Sequence, residues 1–480
     1  MPVAEGKYLP LTGSCRNPGL TGNFAKLKIT SMETALELKR QLGLVTAVLI
    51  IIADVIGTGI FVTTGSALAM TGSAKVVLVL WALGGLVAIT GALCYAELAA
   101  MWPDDGGEYV YLKKIFGPLP SFLTGWISLF VGFTASAAIT SLTLLWYLNE
   151  FFQSGFLAGP LAQKMIAAAV ILAFGIMHIL GVRRGGSVQN LLTVLKLVIV
   201  ISLIGAGLYC ADWSQAGRLV AEYSAPGDGK SLADYGLVLL IIMFAYSGWN
   251  GATYMAGEIK DPQRNLPRAM FWGALLITVI YLLLNVVFLI STPGKDLMGQ
   301  NAVAAIAASN LFGGGIAAFI TLGISVILFS SVSAQMMVGP RVYFAMAQDG
   351  ILFKSLSRVH PRFQTPDLAI ILQTIIAMVY VFIGKDHIMV LLNYMGFALG
   401  IFPLLSIIGL VIMRYRQPEA VRPFRVPLFP LVPVIYIVMT AGMMTASLMK
   451  WTETSLVAVA VVAVGAVVFL VWKRFFRQEA

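Results

Sequence analysis

The residues of this 480-residue chain that could do chemistry stand inside apolar stretches. Residues 50–70 read I-I-I-A-D-V-I-G-T-G-I-F-V-T-T-G-S-A-L-A-M, apolar enough to cross a bilayer, with Gly57-Thr58-Gly59 near the middle. Glycine costs about 1 kcal/mol relative to alanine in a helix interior and adopts angles that other residues resist, so the helix unwinds most easily there. Unwinding inside a membrane bares amides and carbonyls, which is tolerated only where protein or a polar cavity meets them. The chemistry on offer is therefore ion binding by backbone groups. The alternative is a glycine pair that lets two helices pack closely, and this stretch alone leaves both readings open.

Two charged residues stand in similar surroundings. Asp54 lies three residues before Gly57, and Lys196 sits about ten residues from either end of another apolar run. An ionisable group at membrane depth is expensive to keep and is functional by default. The three cysteines (Cys15, Cys94, Cys210) and three histidines (His178, His360, His387) are scattered and fit neither a disulfide framework nor a metal pattern. No phosphate loop or nucleophile–base arrangement is visible, which argues against a pump or a membrane enzyme. No cofactor and no metal are expected.

The elements that must position these residues are membrane spans. The chain is 59% hydrophobic and 11% charged, with a mean hydropathy of +0.88, far from the roughly 25% charged of soluble domains. The predicted class is an all-α polytopic membrane protein. Apolar runs fall at about 44–70, 76–100, 121–149, 163–181, 188–210, 235–257, 269–291, 314–347, 368–384, 387–413, 428–449 and 454–473, giving twelve spans. The net charge of +10 bears on topology rather than on nucleic acid. Lys and Arg crowd the connections on the side of both termini, among them Arg183, Arg184, Lys260, Arg264, Arg268, Arg414 and Arg416, whereas the opposite connections carry mostly isolated lysines. Both termini are thus expected to be cytoplasmic.

The sixth span repeats the oddity of the first. An apolar run ending at Tyr246 is followed by Ser247-Gly248-Trp249-Asn250-Gly251, and apolar character then resumes. Spans 1 and 6 are equivalent if spans 1–5 and 6–10 are two repeats, and an odd repeat length inverts the second. Gly-interrupted helices at matching positions of inverted repeats point to the central site of a transporter. The broken-helix reading of Gly57–Gly59 now outweighs the packing one.

At this level of detail the chain resembles the amino acid–polyamine–organocation transporters, and within them the L-type amino acid transporters. The residues that carry the resemblance are I-G-T-G-I-F at 56–61, Y-A-E-L at 95–98, G-G-E-Y at 106–109, F-G-P-L-P-S-F at 116–122 and Q-N-L-L-T-V-L-K at 189–196. They continue with F-A-Y-S-G-W-N at 244–250, E-I-K-D-P-Q-R-N-L-P-R-A at 258–269, S-V-S at 331–333, H-P-R-F-Q-T-P at 360–366 and R-P-F-R-V-P at 422–427. The resemblance implies the inverted-repeat fold of the bacterial leucine transporter. It divides the chain into a cytoplasmic tail (1–41), a transport core (42–413, repeats about 42–210 and 235–413), peripheral helices 11 and 12 (414–473) and a short C-terminal tail (474–480).

It also implies a substrate with an α-amino and an α-carboxylate group, whose two charges must be met by partners inside the membrane. In span 1 the half-helix restarting at Gly59 or Ile60 offers amides and a positive dipole end to the carboxylate. Thr58 adds a donor, while Gly57 and Gly59 keep the backbone approachable. Carbonyls near Val55, with those of Phe244, Ala245 and Ser247 in span 6, are expected to hold the ammonium. Phe244, Tyr246, Trp249 and Asn250 from span 6, Val131 and Ser136 from span 3 and Phe397 from span 10 are placed near the substrate side chain, with Phe244 as a gate. For the aromatics, core packing is the competing reading. Ala398 and Gly400 depart from the aromatic bulk common in span 10 of carriers of large neutral amino acids.

Lys196 matches the lysine that, in sodium-independent members, fills the place where relatives bind sodium between spans 1 and 8. It is expected to bond span 1 carbonyls near Ala53 and Ile56 and span 8 hydroxyls at Ser331 or Ser333. Proton coupling, a permanently charged tether and a static ion pair all stay open. Asp54 is unusual for this subgroup and has three readings, in order: a partner for Lys196, a contact for a basic substrate, or a residue of the cytoplasmic vestibule. Glu97 and Glu258, at inner span ends, are expected to pair with basic residues of the inner loops. His178 reads as a satisfied or interfacial histidine, and the G-G-E-Y segment as part of an inner loop helix sealing the vestibule. Mammalian subunits of this kind pair with a glycoprotein through a cysteine after span 3; residues 150–163 contain none, so no covalent heavy chain is expected.

The function expected is sodium-independent exchange of neutral L-amino acids by alternating access in the plasma membrane. Proton-coupled uptake, or carriage of cationic amino acids or polyamines, is the alternative, and a non-transporting amino acid sensor is the rival from another class.

Overall fold

The structure is a computed structural model that describes residues 38–152, 159–223, 230–383 and 388–475. The expected tail of residues 1–41, apart from 38–41, lies outside the described residues, as do residues 476–480 and part of the connection after the third span.

The first apolar run is two helices, α1 (Leu44–Val55) and α2 (Thr58–Thr71), bent by 43°. Next comes α3 (Ala74–Met101), started by Ser73, whose hydroxyl accepts from the amide of Val76 at 3.3 Å. A short connecting helix, α4 (Glu108–Phe116), leads to α5 (Pro118–Ile127), a π-helical turn over Ser128–Gly132 and α6 (Thr134–Phe152). Then follow α7 (Pro160–Ile179), α8 (Val182–Cys210) and the short α9 (Leu232–Ala245), which gives way to a 3₁₀ stretch over Gly251–Glu258.

The second half runs through α10 (Pro262–Ser291), the small α11 (Gly294–Leu297) and α12 (Val303–Phe312), then α13 (Gly314–Val338) and α14 (Pro340–Gln348). It ends with α15 (Asp367–Ile383), α16 (Ile388–Arg416), α17 (Leu431–Lys450) and α18 (Thr452–Phe475). Proline occupies the first turn of α5, α7, α10 and α14, where its fixed φ suits a helix start and no donor is lost.

Among the described residues nine helical stretches are long and apolar enough to cross a membrane, or ten with the bent pair as one span. The expected spans at 235–257 and 368–384 are instead the 14-residue α9 and the 17-residue α15, apolar but short. The first is cut by a turn at Gly248, whose φ of 97° no helix accepts. The belt of exposed apolar side chains, such as Leu172, Ile176, Val198, Val464 and Val467, fits lipid and not water. The protein is a multi-pass membrane protein.

Helices at equivalent positions of the two expected repeats pack on one another: α2 on α9, α3 on α10, α6 on α13 and α7 on α15. The start of span 1 is joined to the end of the sixth run by backbone pairing. The amides of Gln41 and Leu42 donate to the Glu258 carbonyl at 2.8 and 2.9 Å, and Lys260 N–H returns to Leu42 at 2.8 Å.

Candidate substrate site at the two helix breaks

Ile56 leaves the helical region at ψ 93°, Gly57 follows at φ −137°, and α2 resumes at Thr58. The restart is thus one or two residues earlier than the expected Gly59 or Ile60. Gly57 is the N-cap and brings no side chain to the free amides of the first turn, so that turn lacks a side-chain acceptor. Gly59 is required by close approach: a Cβ there would lie 2.5 Å from Cα and 2.6 Å from Cβ of Ala245, the last residue of α9. The two interruptions meet at this contact.

The sixth run leaves helix after Ala245, turns through Tyr246–Asn250 and resumes as the 3₁₀ stretch. Tyr281 of α10 links both breaks, with its hydroxyl 2.8 Å from the Val55 carbonyl and 3.0 Å from that of Ala245. One phenolic proton serves two buried acceptors, so at least one carbonyl has capacity for another donor. The Phe244 carbonyl is taken locally by the amide and hydroxyl of Ser247, at 3.0 and 2.7 Å. Tyr246 is anchored away from the site by its hydroxyl bond to the Trp81 carbonyl at 3.0 Å.

Lys196 is fully buried, and its three protons are all placed. Nζ donates to Ala53 O at 2.9 Å, Ile56 O at 2.7 Å and Ser331 Oγ at 2.9 Å, tying α8 and α13 to the end of α1. Ser331 in turn reaches Ile56 O at 2.9 Å. Ser333, two residues further and so on another helix face, is bonded to His178 instead, with Nε2 2.9 Å from its carbonyl and 3.1 Å from its hydroxyl. Ser333 is therefore not a partner of Lys196.

Asp54 does not form the ion pair ranked first for it. The two charges act on each other from beyond contact: Lys196 has no ion pair to Asp54 within 4.0 Å, and its protons go to Ala53 O, Ile56 O and Ser331 Oγ. Asp54 lies instead against the turn of the sixth run: Cβ atoms built on Gly248 and Gly251 would stand 2.8 and 3.1 Å from its Oδ2. It lines a cavity of about 90 Å³ beside that turn.

Of the residues expected to read the substrate, Ser136, Ser247, Trp249 and Asn250 line this cavity, together with Asp54. Val55, Gly57, Thr58, Gly59, Phe244, Ala245, Val131 and Phe397 do not. The first six stand at the two breaks, where their backbone groups are what they offer, whereas Val131 and Phe397 are packed in the core. Trp249 also leans edge-on against Tyr95, with centroids 4.8 Å apart, so it serves packing and the wall alike.

Glu108 and Gln335 are among the wall residues not expected from the sequence. Glu108, the first residue of α4, is buried under the returning 3₁₀ stretch. It accepts from Asn250 Nδ2 at 2.6 Å and Tyr254 OH at 3.2 Å on one oxygen, and from Thr124 Oγ1 at 3.1 Å on the other. Burial pushes its carboxyl up to about 7 against the pull of these donors. Gln335 stands one turn beyond Ser331 and donates from Nε2 to Ser136 Oγ at 2.9 Å, while its buried Oε1 has no partner. A signal for each was present: an acid inside the G-G-E-Y segment, and an i, i+4 spacing from Ser331.

Further ion pairs close the end of the bundle rich in basic loops. Glu258 is buried against Arg341 at 2.8 Å, and Glu97 lies 2.5 Å from Arg414 and 3.1 Å from Arg422. Tyr109 and Lys113 of α4 both hold Asp349, at 2.6 and 2.5 Å. Among the described residues no three His, Cys, Asp or Glu side chains gather as a metal site.

The profile of the amino acid permease family matches residues 42–472. The b(0,+)-type amino acid transporter 1 of Mus musculus is 34% identical over 431 residues, covering 88% of this chain and 85% of the relative. The serine/threonine exchanger SteT of Bacillus subtilis is 33% identical, covering 83% of this chain and 89% of its own length. The large neutral amino acids transporter small subunit 2 of Homo sapiens is 31% identical, with 91% and 81% covered. With two interrupted helices meeting at Gly59 and Ala245 and a match running from the start of the first span into the last, this chain belongs to the amino acid permease family of the amino acid–polyamine–organocation superfamily, on its L-type side.

Proposed function

We propose that the protein is a secondary active amino acid transporter that works by alternating access and exchanges L-amino acids, neutral ones included, without sodium. The observation that carries the reading is the junction of the two breaks. The uncapped amides at the start of α2 suit a carboxylate, and the Val55 and Ala245 carbonyls, sharing one Tyr281 proton, have capacity for an ammonium. Lys196 supports sodium independence, since its ammonium already holds the acceptors Ala53 O, Ile56 O and Ser331 Oγ that a cation between span 1 and α13 would use.

The contacts between equivalent helices support two inverted repeats, with α9 plus its 3₁₀ continuation as span 6, α15 as span 9 and twelve spans in all. The charge bias of the loops supports cytoplasmic termini in the plasma membrane. On this topology, Gln41 and Leu42 with Glu258, Glu258 with Arg341, and Asp349 with Tyr109 and Lys113 are contacts that part when the site opens inward. The lack of cysteine in residues 150–163 supports operation without a covalent heavy chain.

Proton-coupled uptake is the second reading, favoured by Glu108, a carboxyl raised to about 7 on the cavity wall. Uptake of labelled amino acid into proteoliposomes, with and without internal cold substrate and with sodium and pH gradients varied, separates the readings. Exchange requires internal substrate and ignores both gradients. Uptake driven by an inward proton gradient into empty vesicles selects proton coupling, strict sodium dependence removes the role given to Lys196, and binding without counterflow points to a sensor.

A further inference from the structure

We infer that Asp54 is the specificity-determining carboxylate of a subsite for a cationic substrate side chain, an ammonium or guanidinium, so that amino acids such as lysine and arginine are among the substrates. The inference rests on the transport reading above and goes on to name the class of side chain.

The cavity beside the sixth-run turn holds two carboxyl groups in opposite circumstances. Glu108 has its oxygens filled by Asn250, Tyr254 and Thr124, three donors of the protein itself. Asp54 accepts no hydrogen bond among the described residues and has no Lys or Arg at ion-pair distance. Lys196, whose charge acts on Asp54 from beyond contact, spends its three protons on Ala53, Ile56 and Ser331, so it gives the Asp54 oxygens no donor. An ionised carboxylate away from bulk water needs a donor or a counter-charge.

A second group on the same wall is also short of a donor. Gln335 is 8% exposed, its Nε2 is committed to Ser136, and its Oε1 is unpartnered. Ser136 and Ser247 add hydroxyl oxygens. A cavity that offers a free carboxylate and a free amide oxygen complements a group rich in N–H donors and positive charge. The geometry places that group within reach of a bound amino acid. Asp54 lies one turn before Gly57, and the turn it touches, at Gly248 and Gly251, continues directly from Ala245. A substrate carboxylate at the start of α2 and an ammonium at the Val55 and Ala245 carbonyls leave its side chain to point along this turn. The polar end of the cavity is set for a long donor-bearing side chain, while Phe133, Leu399 and Phe402 form an apolar wall that a neutral side chain can use.

The test is counterflow in proteoliposomes with purified wild-type protein and Asp54→Asn, comparing L-arginine and L-lysine with L-leucine and L-serine, and with agmatine and putrescine as cations lacking the α-carboxylate. The wild type is expected to exchange arginine or lysine. Asp54→Asn is expected to lower the ratio of kcat/KM for arginine to that for a neutral substrate by about 10- to 100-fold, the loss of one charge-assisted bond. Thermal melting of the purified variant controls for folding. If the variant is unstable, competition by arginine and lysine against labelled neutral substrate in the wild type decides. Neutral exchange with no cationic exchange or competition overturns this inference and leaves the transport reading standing, as does an unchanged ratio in the variant. Transport of agmatine or putrescine but no cationic amino acid overturns it in favour of an amine carrier. Failure to exchange any amino acid removes the transport reading and this one together.

Discussion

Lys196 Nζ lies 2.7 Å from the carbonyl oxygen of Ile56, the residue at which the first span leaves its helix. A helix ending inside the membrane leaves carbonyls without amide partners, and here a buried ammonium supplies three donors in place of water. The same ammonium is thereby held without a carboxylate counter-ion in contact. The break and the lysine account for each other, because removing either leaves the other unsatisfied.

Lys196→Ala should reduce exchange by more than tenfold while protein yield falls far less, measured as counterflow per reconstituted protein. The substitution strands the Ala53 carbonyl at about 1–3 kcal/mol and leaves the Ile56 carbonyl with the Ser331 hydroxyl alone. Lys196→Arg should not restore the rate, since a planar guanidinium cannot aim three donors at acceptors converging on one nitrogen. Full exchange by either variant would sink the assignment.

Gly59→Ala forces a methyl into Ala245 at 2.5 Å from its Cα. The two backbones have to separate, at about 1–3 kcal/mol or more. A lower melting temperature in detergent and loss of exchange are expected. At Gly57, where the nearest atom to an added Cβ is Ser331 Oγ at 3.5 Å, alanine should melt much closer to the wild type. Equal melting shifts at the two positions would argue against the contact between the breaks.

Tyr281→Phe removes the hydroxyl that serves the Val55 and Ala245 carbonyls. A drop in stability of about 1–3 kcal/mol is expected from buried acceptors left short of a donor. KM for neutral substrate should change as well, because the same carbonyls are assigned to the ammonium. A change in melting alone would mean that the hydroxyl holds the breaks but that the carbonyls do not touch substrate.

Glu108 supplies a pH signature. Its carboxyl is raised from 4.5 to about 7 by burial, so it is harder to ionise folded than unfolded. Between those values the folded protein holds the extra proton, and stability falls as pH rises through the window, by up to about 3 kcal/mol. Stability from this group is complete below pH 4.5 and lost above about 7. Melting curves from pH 4.5 to 8 should show that decline, and Glu108→Gln should flatten it. A variant whose pH profile matches the wild type would show that another group sets the dependence.

How much of this was legible in the sequence depended on how local the cause was. Hydrophobic runs long enough to cross a bilayer mark spans whatever they pack against, and glycine at 57, 59 and 248 loosens a helix through its own backbone. Lys196 stood out because a lone cation inside such a run is costly in any fold, and its partners at Ala53 and Ile56 follow from where a broken helix bares carbonyls. The sequence left undetermined what depends on the rotation of one helix against another. Asp54 and the carbonyls of Ala53 and Ile56 are neighbours in the chain, yet Lys196 bonds the carbonyls while Asp54 lies against Gly248 and Gly251, so the two charges act on each other without direct contact. Glu108 becomes a buried acceptor only because the 3₁₀ stretch after Asn250 returns over α4 and brings Asn250 and Tyr254 onto it. Gln335 meets Ser136 only through the packing of α13 on α6. The spans and their breaks are written in local composition and backbone freedom. Which carboxylate is satisfied and which is left facing the cavity was decided by tertiary packing alone, because a buried polar group takes its partners from whatever helix faces it.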